Sequence, residues 1–421
     1  MSQSTDPALM TLAELAAAIA GRQLSSREAT QACLSRIAEW QPVLNAFIAI
    51  EPEEALQAAD AADARIAEGR ATGPFDGVPF AHKDMFYARG KISTCGSRIR
   101  RDWIADTDST ALKRLTDQGS VRLGTLHMAE FAYGPTGHNA HFGAAGNPWN
   151  PLHVTGGSSS GSGAAVAARL TPAALGSDTG GSVRMPANFC GVTGLKTSVG
   201  RVSRFGAMPL SHSLDTIGPL AQTAEDCALV LQAIAGPDSS DPTALPVPVP
   251  DYAAACRLGV RGMRLGVPDA FYLDGLEPAT ARAFEAALDA FRGEGVEIVS
   301  VTLPDQMRLS AAGQILLACE AAAFHRRWLA ERPEDYGAQV RARLENGLAI
   351  PAVTYLEALR WRAIALTEHL QAVEGVDAFL APVSASASPS IAQSDVGGGP
   401  SAEAVIQRIT RLMRPVNYLG L

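Results

Sequence analysis

Residues 155–200 read TGGSSSGSGAAVAARLTPAALGSDTGGSVRMPANFCGVTGLKTSVG, with ten glycines among them. Each glycine raises the entropy cost of ordering the chain, so a plain packed core has no use for so many. A flexible linker would lack the apolar runs AAVAARL and VTGLK that interrupt the segment. Backbone this costly to order is kept where N–H groups must crowd a ligand or a developing negative charge. The segment therefore reads as a strand-and-loop site. AAVAARL is a small-residue helix packed tightly on a sheet, and AALGSD is a strand running into a loop.

The flanking sequence alternates in the same way. Residues 9–20 have helical periodicity and stop at Gly21. Ser25 and Glu28 form a capping box opening a helix through about Glu39, and 53–68 is an alanine-rich amphipathic helix. GVPFAHKD and residues 120–126 read as strands, with a helix at 109–117 between them. Residues 222–235 are helical, and 238–251 form a proline-rich crossing. A strand at 263–268, a helix at 278–293 and a strand at 296–301 follow. Helices dominate 306–373, VDAFLAP (376–382) is a buried strand, and 384–401 is a long loop. This alternation is α/β, and nothing in it forces a domain boundary.

Lysine usage singles out one residue outside the glycine segment. Only Lys83, Lys91, Lys113 and Lys196 are lysines among 35 basic residues. Arginine keeps its proton in a protein, whereas a desolvated lysine can become a neutral base. Lys83 lies in the apolar stretch GVPFAHKDMF, where burial is expected.

Composition excludes several function classes. A net charge of −8 and no Lys/Arg cluster argue against a nucleic-acid surface, Arg98, Arg100 and Arg101 reading as a solvated turn. Six scattered cysteines without CxxC spacing suit reduced thiols and give no zinc signature. There is no secretory leader pattern and no run of 18 apolar residues, so a cytoplasmic protein without membrane contact is expected. His138 and His141 lack partners at ligand spacing and read as structural or substrate-facing. Gly157–Gly161 matches a G-x-S-x-G elbow with Ser159 as nucleophile, but NPWNPLHVT before it is not the buried strand an elbow needs. No phosphate-binding glycine motif is present.

The run GGSSSGSGAAVAARLTPAALGSDTGGSVRMPANFCGVTGLKTS resembles the defining block of the amidase signature family. GVPFAHKD resembles that family's upstream lysine block, GSVRLGTLHMAEFAYG (119–134) its intervening strand and loop, and 211–236 its downstream helix block. The match runs from about residue 12 to 236, with weaker echoes at VDAFLAP and NYLGL. The resemblance implies one amidase domain over 1–421, with a signature core at about 70–236 and a divergent pocket region at about 240–410. The strand and helix that usually follow NYLGL in the family are absent from this sequence. The implied fold is a single α/β/α domain with a large mixed, mostly parallel twisted sheet covered by helices.

The same resemblance places a Ser-Ser-Lys triad on Ser182, Ser158 and Lys83. Ser182 would be the nucleophile that forms an acyl-enzyme, Ser158 the bridging serine after a cis peptide, and Lys83 the base. The backbone of Thr179, Gly180, Gly181 and Ser182 would form the oxyanion hole, ordered by Asp178 and Arg184. Ser159, Ser160 and Ser162 read as loop hydroxyls, Cys190 as a buried hydrophobe, and Lys196 as a structural partner.

The implied activity is hydrolysis of a linear, non-peptide amide, releasing ammonia or an amine, with no metal or organic cofactor. Partners are then a small-molecule amide, no nucleic acid and no membrane, with a homodimer as one option for assembly. Phe271, Tyr272, Phe324, Trp328, Tyr355 and Trp361 are expected to supply an apolar acyl pocket, with no arginine standing out as a carboxylate clamp. Two alternatives stand beside this reading. One is the glutaminase (A) subunit of a tRNA-dependent amidotransferase, disfavoured by Met185, where a glutamine often stands, and by the lack of a placeable arginine–acid pair. The other is a non-catalytic binding relative, disfavoured by the intact triad.

Overall fold

The computed structural model describes residues 6–395, 397, 399 and 401–421, the side chains of 402 and 403 excepted. Its strands in chain order are β1 (Phe47–Ile50), β2 (Pro79–Lys83), β3 (Val121–Leu126), β4 (Gly146–Asn147), β5 (Asn150–Val154), β6 (Ala173–Asp178), β7 (Thr193–Gly194), β8 (Thr216–Ala221), β9 (Arg264–Pro268), β10 (Glu297–Val301) and β11 (Ala378–Phe379). Six of them form the main sheet in the order β1-β3-β2-β6-β8-β7. A three-stranded sheet, β10-β9-β11, stands apart, and β4-β5 is a hairpin.

The α/β class and the mixed sheet flanked by helices are as expected. Parallel pairing in the main sheet is confined to its centre, β3-β2-β6. β1, β8 and β7 pair antiparallel at its flanks. The remaining parallel strands lie in the separate β10-β9-β11 sheet. The predicted buried strand at 376–382 is two residues long and partly exposed, because it is an edge strand of that small sheet.

Side-chain alternation explains why both faces of the main sheet are covered. Along β6, Ala173 and Leu175 point into one apolar cluster and Ala174 into the other. On β8, Ile217 and Ala221 join the first cluster and Leu220 the second.

The helices begin where their caps dictate. Thr11–Glu14 and Ser25–Glu28 are both two-way capping boxes, opening helices Leu12–Ala20 and Ser26–Leu44. The second helix passes Glu39 and carries Pro42 in its last turn, ending at Asn45 with φ of 46°. Helix Ser160–Ala167 starts before the predicted AAVAARL, because its serines find partners inside the fold. Ser160 Oγ shares a hydrogen bond with His127 Nδ1 at 2.9 Å, and Ser162 donates to the Leu175 carbonyl at 3.0 Å. A Cβ on Gly161 would stand 2.3 Å from the Ala46 carbonyl oxygen, so this helix packs backbone against backbone. The loop expected over 384–401 contains a short helix, Ile391–Ser394; residues 396, 398 and 400 lie outside the described residues.

Candidate active site

β2 and β6 are parallel neighbours, with Ala81 opposite Ala174 and His82 opposite Leu175. Their C-terminal ends therefore deliver Lys83 and the Gly176–Asp178 end of β6 to the same edge of the sheet. The 155–159 loop, leading into helix Ser160–Ala167, lies at that edge, with Gly157–Ser158 as a cis peptide.

Three hydroxyls surround the lysine. Lys83 Nζ lies 2.7 Å from Ser158 Oγ, 2.9 Å from Ser177 Oγ and 3.1 Å from Ser159 Oγ. Lys83 is wholly buried. Burial, opposed by the carboxylates of Asp215 and Asp178, brings its ammonium down to about 7. A lysine in this state carries a substantial neutral fraction at physiological pH.

Ser182 lines a small pocket together with Gly157, Thr179 and Gly180. Its carbonyl accepts from the Ser159 amide at 3.3 Å, joining the two halves of the glycine segment. The Thr179–Ser182 turn is held from behind by Asp178. That carboxylate accepts from the amides of Gly181 (2.8 Å) and Val183 (3.2 Å), from Arg184 Nε (3.0 Å) and from Asn417 Nδ2 (2.8 Å). Burial alone would raise the Asp178 carboxyl, but Arg184, Lys196 and these donors hold it well below the carboxylate range. Thr179 Oγ1 donates to Asp215 at 2.6 Å. Gly181 has φ of +120°, and a Cβ there would lie 2.5 Å from Met413 Sδ. Gly180 also lines the pocket, and a Cβ there would meet nothing within 4 Å.

The other sequence candidates fall away from the centre. Burial pushes the Cys190 thiol up, as expected of an inert core residue. Lys196 donates to the carbonyls of Thr197 and Leu421. His141 bonds Glu130 and His138 bonds Thr136, and among the described residues no group of histidine, cysteine or acid side chains could hold a metal. The strand before the would-be elbow, β5, is exposed and outside the main sheet, so Ser159 lacks that setting.

The aromatic pocket expected from the sequence is not at Ser182. Trp328 stacks on Phe131, Trp361 lies tilted against Tyr418, and Phe271 with Tyr272 packs on Leu412. Two arginines line the pocket instead. Arg343 comes from helix Ala338–Leu348 and Arg414 opens helix Arg414–Leu419. Arg343 is buried, donates to the Tyr133 carbonyl at 2.8 Å and lies 3.8 Å over the Tyr133 ring. Its Nε has no hydrogen-bond partner among the described residues. A cavity of about 570 Å³ beside Ser388 and Arg408 contains none of these groups.

The Amidase family model matches residues 28–421. The chain belongs to that family. It is an enzyme acting on carbon–nitrogen bonds. Among curated relatives it is 43% identical to the glutamyl-tRNA(Gln) amidotransferase (A) subunit of Geobacter sulfurreducens, over 89% of this chain and 82% of the relative. Among solved structures it superposes with a TM-score of 0.91 and 35% identity on one described as a vestigial protein complex revealing the evolutionary origins of an s-triazine catabolic enzyme. That likeness covers 98% of this chain and 89% of the other. The glutamyl-tRNA(Gln) amidotransferase (A) subunit from Thermotoga maritima superposes with a TM-score of 0.82 at 30% identity, covering 99% and 87%.

These likenesses correct the expected partners. An enzyme with only a small-molecule substrate and no nucleic acid does not fit relatives named as subunits of a glutamyl-tRNA(Gln) amidotransferase. They also favour the amidotransferase alternative over a generic amidase. Against them stands Met185, which is buried in a small apolar cluster with Phe189, Ile409 and Met413. Among the described residues no helix is long and apolar enough to cross a membrane.

The sequence reading missed Ser177, Asp215, Arg343, Arg414 and Asn417. Arg343 had a signal. It stands on the apolar stripe of its helix with Val340, Leu344 and Gly347, and a cation on a buried face asks for an anion.

Proposed function

We propose that this chain is the ammonia-releasing component of a tRNA-dependent amidotransferase, working in the cytosol through an acyl-enzyme on Ser182. Ser182 Oγ attacks the amide carbonyl, and its proton passes through Ser158 to neutral Lys83. Lys83 then returns the proton to the departing nitrogen, so the leaving group exits as ammonia. The backbone of Thr179–Ser182 supplies donors to the tetrahedral oxyanion. Water deacylates Ser182 along the same proton path. The observation that carries the chemistry is the 2.7 Å contact between Ser158 and a wholly buried Lys83.

The pocket arginines support a donor amide that bears a carboxylate, as glutamine does. A guanidinium recognises carboxylate with paired N–H donors, and burial strengthens each bond. The identity to the amidotransferase relatives supports the assembly. Ammonia release from glutamine by the chain alone, with its partner subunits, and with glutamyl-tRNA added tests this. Hydrolysis stimulated by partners and tRNA is expected; full activity of the lone chain on simple amides overturns it.

A second reading rests on the pocket's charge. Its described lining has two arginines and no acid to meet the ammonium of glutamine. A carboxylated amide without an amine fits such a lining, and a comparison of glutamine with succinamate separates the two.

A further inference from the structure

Ser177 touches both Lys83 and a second cavity. This cavity of about 230 Å³ shares no lining residue with the Ser182 pocket. Met85, Ala207, Met208 and Ile217 form its apolar wall, and Arg204, His212, Asp215 and Asp241 its polar one. It reaches the lysine through Ser177, at a wall the Ser182 pocket does not include.

The three hydroxyls around Lys83 are not equivalent. Ser159 Oγ donates its proton to the Ser177 carbonyl at 3.2 Å and accepts from the Ser177 amide at 3.3 Å. Its hydrogen is committed, so it serves Lys83 only as an acceptor. A neutral amine has a lone pair that needs a donor, and Ser158 and Ser177 are the hydroxyls left to provide one. Ser158 leads to Ser182. The competing acceptor for Ser177 is Met85 Sδ at 3.1 Å, and a thioether accepts weakly. Ser177 thus offers the lysine a second proton path, leading to the cavity.

We propose that Ser177 is a proton-relay residue and that the cavity behind Lys83 is a solvent port. Through it Lys83 gains or loses its proton while the substrate pocket is occupied. The step is an exchange: Lys83 passes one proton to Ser177 Oγ as Ser177 releases its own to water in the cavity, and the reverse restores the ammonium. The titratable and charged groups around this path are Asp178, Asp215 and Cys95 on the lysine side. On the cavity side they are Arg204, His212 and Asp241. Arg204 is engaged by the His212 carbonyl and Thr243, and Asp215 by Thr179, so neither blocks the cavity as a free charge.

The inference rests on Lys83 as the base, and its test avoids any choice of substrate. Only four lysines are present, so selective ¹³Cε/¹⁵Nζ lysine labelling of the full chain gives a spectrum in which Lys83 can be assigned by its loss in Lys83→Met. Ser182 is sealed with phenylmethanesulfonyl fluoride, and hydrogen exchange at Lys83 Nζ is followed. Sealing should change the rate by less than twofold in the native chain. Ala207→Leu, which fills the port from a partly exposed wall, and Ser177→Ala should each slow it at least tenfold, whereas Ser177→Thr should restore it. Exchange that collapses on sealing, or that ignores Ala207→Leu and Ser177→Ala alike, overturns the port. Failure of the reagent to modify Ser182 would instead overturn the nucleophile. The port is then read from the unsealed chain, where Ala207→Leu must still slow exchange.

Discussion

Asn417 donates to Asp178 over 2.8 Å, joining positions 239 residues apart. The bond fixes the carboxylate that holds the amides of Gly181 and Val183, so the oxyanion turn depends on a helix far along the chain. Asp178→Asn should lower kcat at least tenfold. It would also cost about 3 kcal/mol of stability, because it leaves Arg184 without its counter-charge. Asn417→Ala should be milder, about 1 kcal/mol, with a loss in kcat rather than KM. Urea unfolding and steady-state ammonia release measure both; an Asp178→Asn variant of native stability and rate would sink the argument.

Removing the proposed triad groups one at a time separates their roles. Ser182→Ala should abolish turnover and covalent labelling by a sulfonyl fluoride. Lys83→Ala should lose about 10²–10⁴ in rate, and Lys83→Arg should not recover it, since arginine keeps its proton. Mass spectrometry of the labelled chain locates the adduct; an adduct on Ser159 would reverse the assignment.

The pH profile follows from the buried lysine. Below about 7 Lys83 holds its proton and cannot accept another, so kcat/KM should climb tenfold per pH unit and level off above that value. Stability has the same sign. Between about 7 and 10.5 the unfolded chain binds a proton that folded Lys83 does not, so folding stability gains with pH across that window. Lys196, brought to about 7 chiefly by burial, adds to the gain. Rate and thermal melting against pH test the two statements separately.

Adjacent glycines should behave differently. Gly180→Ala places a methyl in open pocket space, so it should fold normally and raise KM. Gly181→Ala meets Met413 and a left-handed backbone, which should cost about 1–3 kcal/mol before function is considered. Melting temperatures of the pair, measured alongside kinetics, discriminate crowding of substrate from damage to the turn.

Arg343→Met should raise KM for a carboxylate-bearing amide by about 10- to 100-fold, the loss expected for one charge-assisted hydrogen bond. It should leave an uncharged amide such as hexanamide little affected. Equal losses on both substrates would mean that Arg343 supports the fold through Tyr133 and nothing more.

Local chemistry made the centre readable before any coordinates. Glycine spacing, the lone lysine in an apolar strand and the capping box at Ser25 are written in short windows, and each appears where expected; the box at Thr11 is equally local but went unread. The walls of the pocket were not. Arg343, Thr410 and Arg414 reach Ser182 from segments without a motif, and only tertiary packing decides which face of their helices meets it. The aromatic residues misled because large apolar side chains mark any core, and here they mark the packing of the outer helices.

The tie between Asp178 and Asn417 also sets a timetable for synthesis. Lys83, Ser158 and Ser182 leave the ribosome long before Arg414 and Asn417 do. At roughly 5–20 residues per second, the interval is on the order of ten to fifty seconds. Throughout it the nascent chain carries all three reactive side chains, yet lacks the anchor that holds the Asp178 carboxylate in place. On the proposed chemistry, Ser182 would stay idle until the last helix supporting its turn has been made.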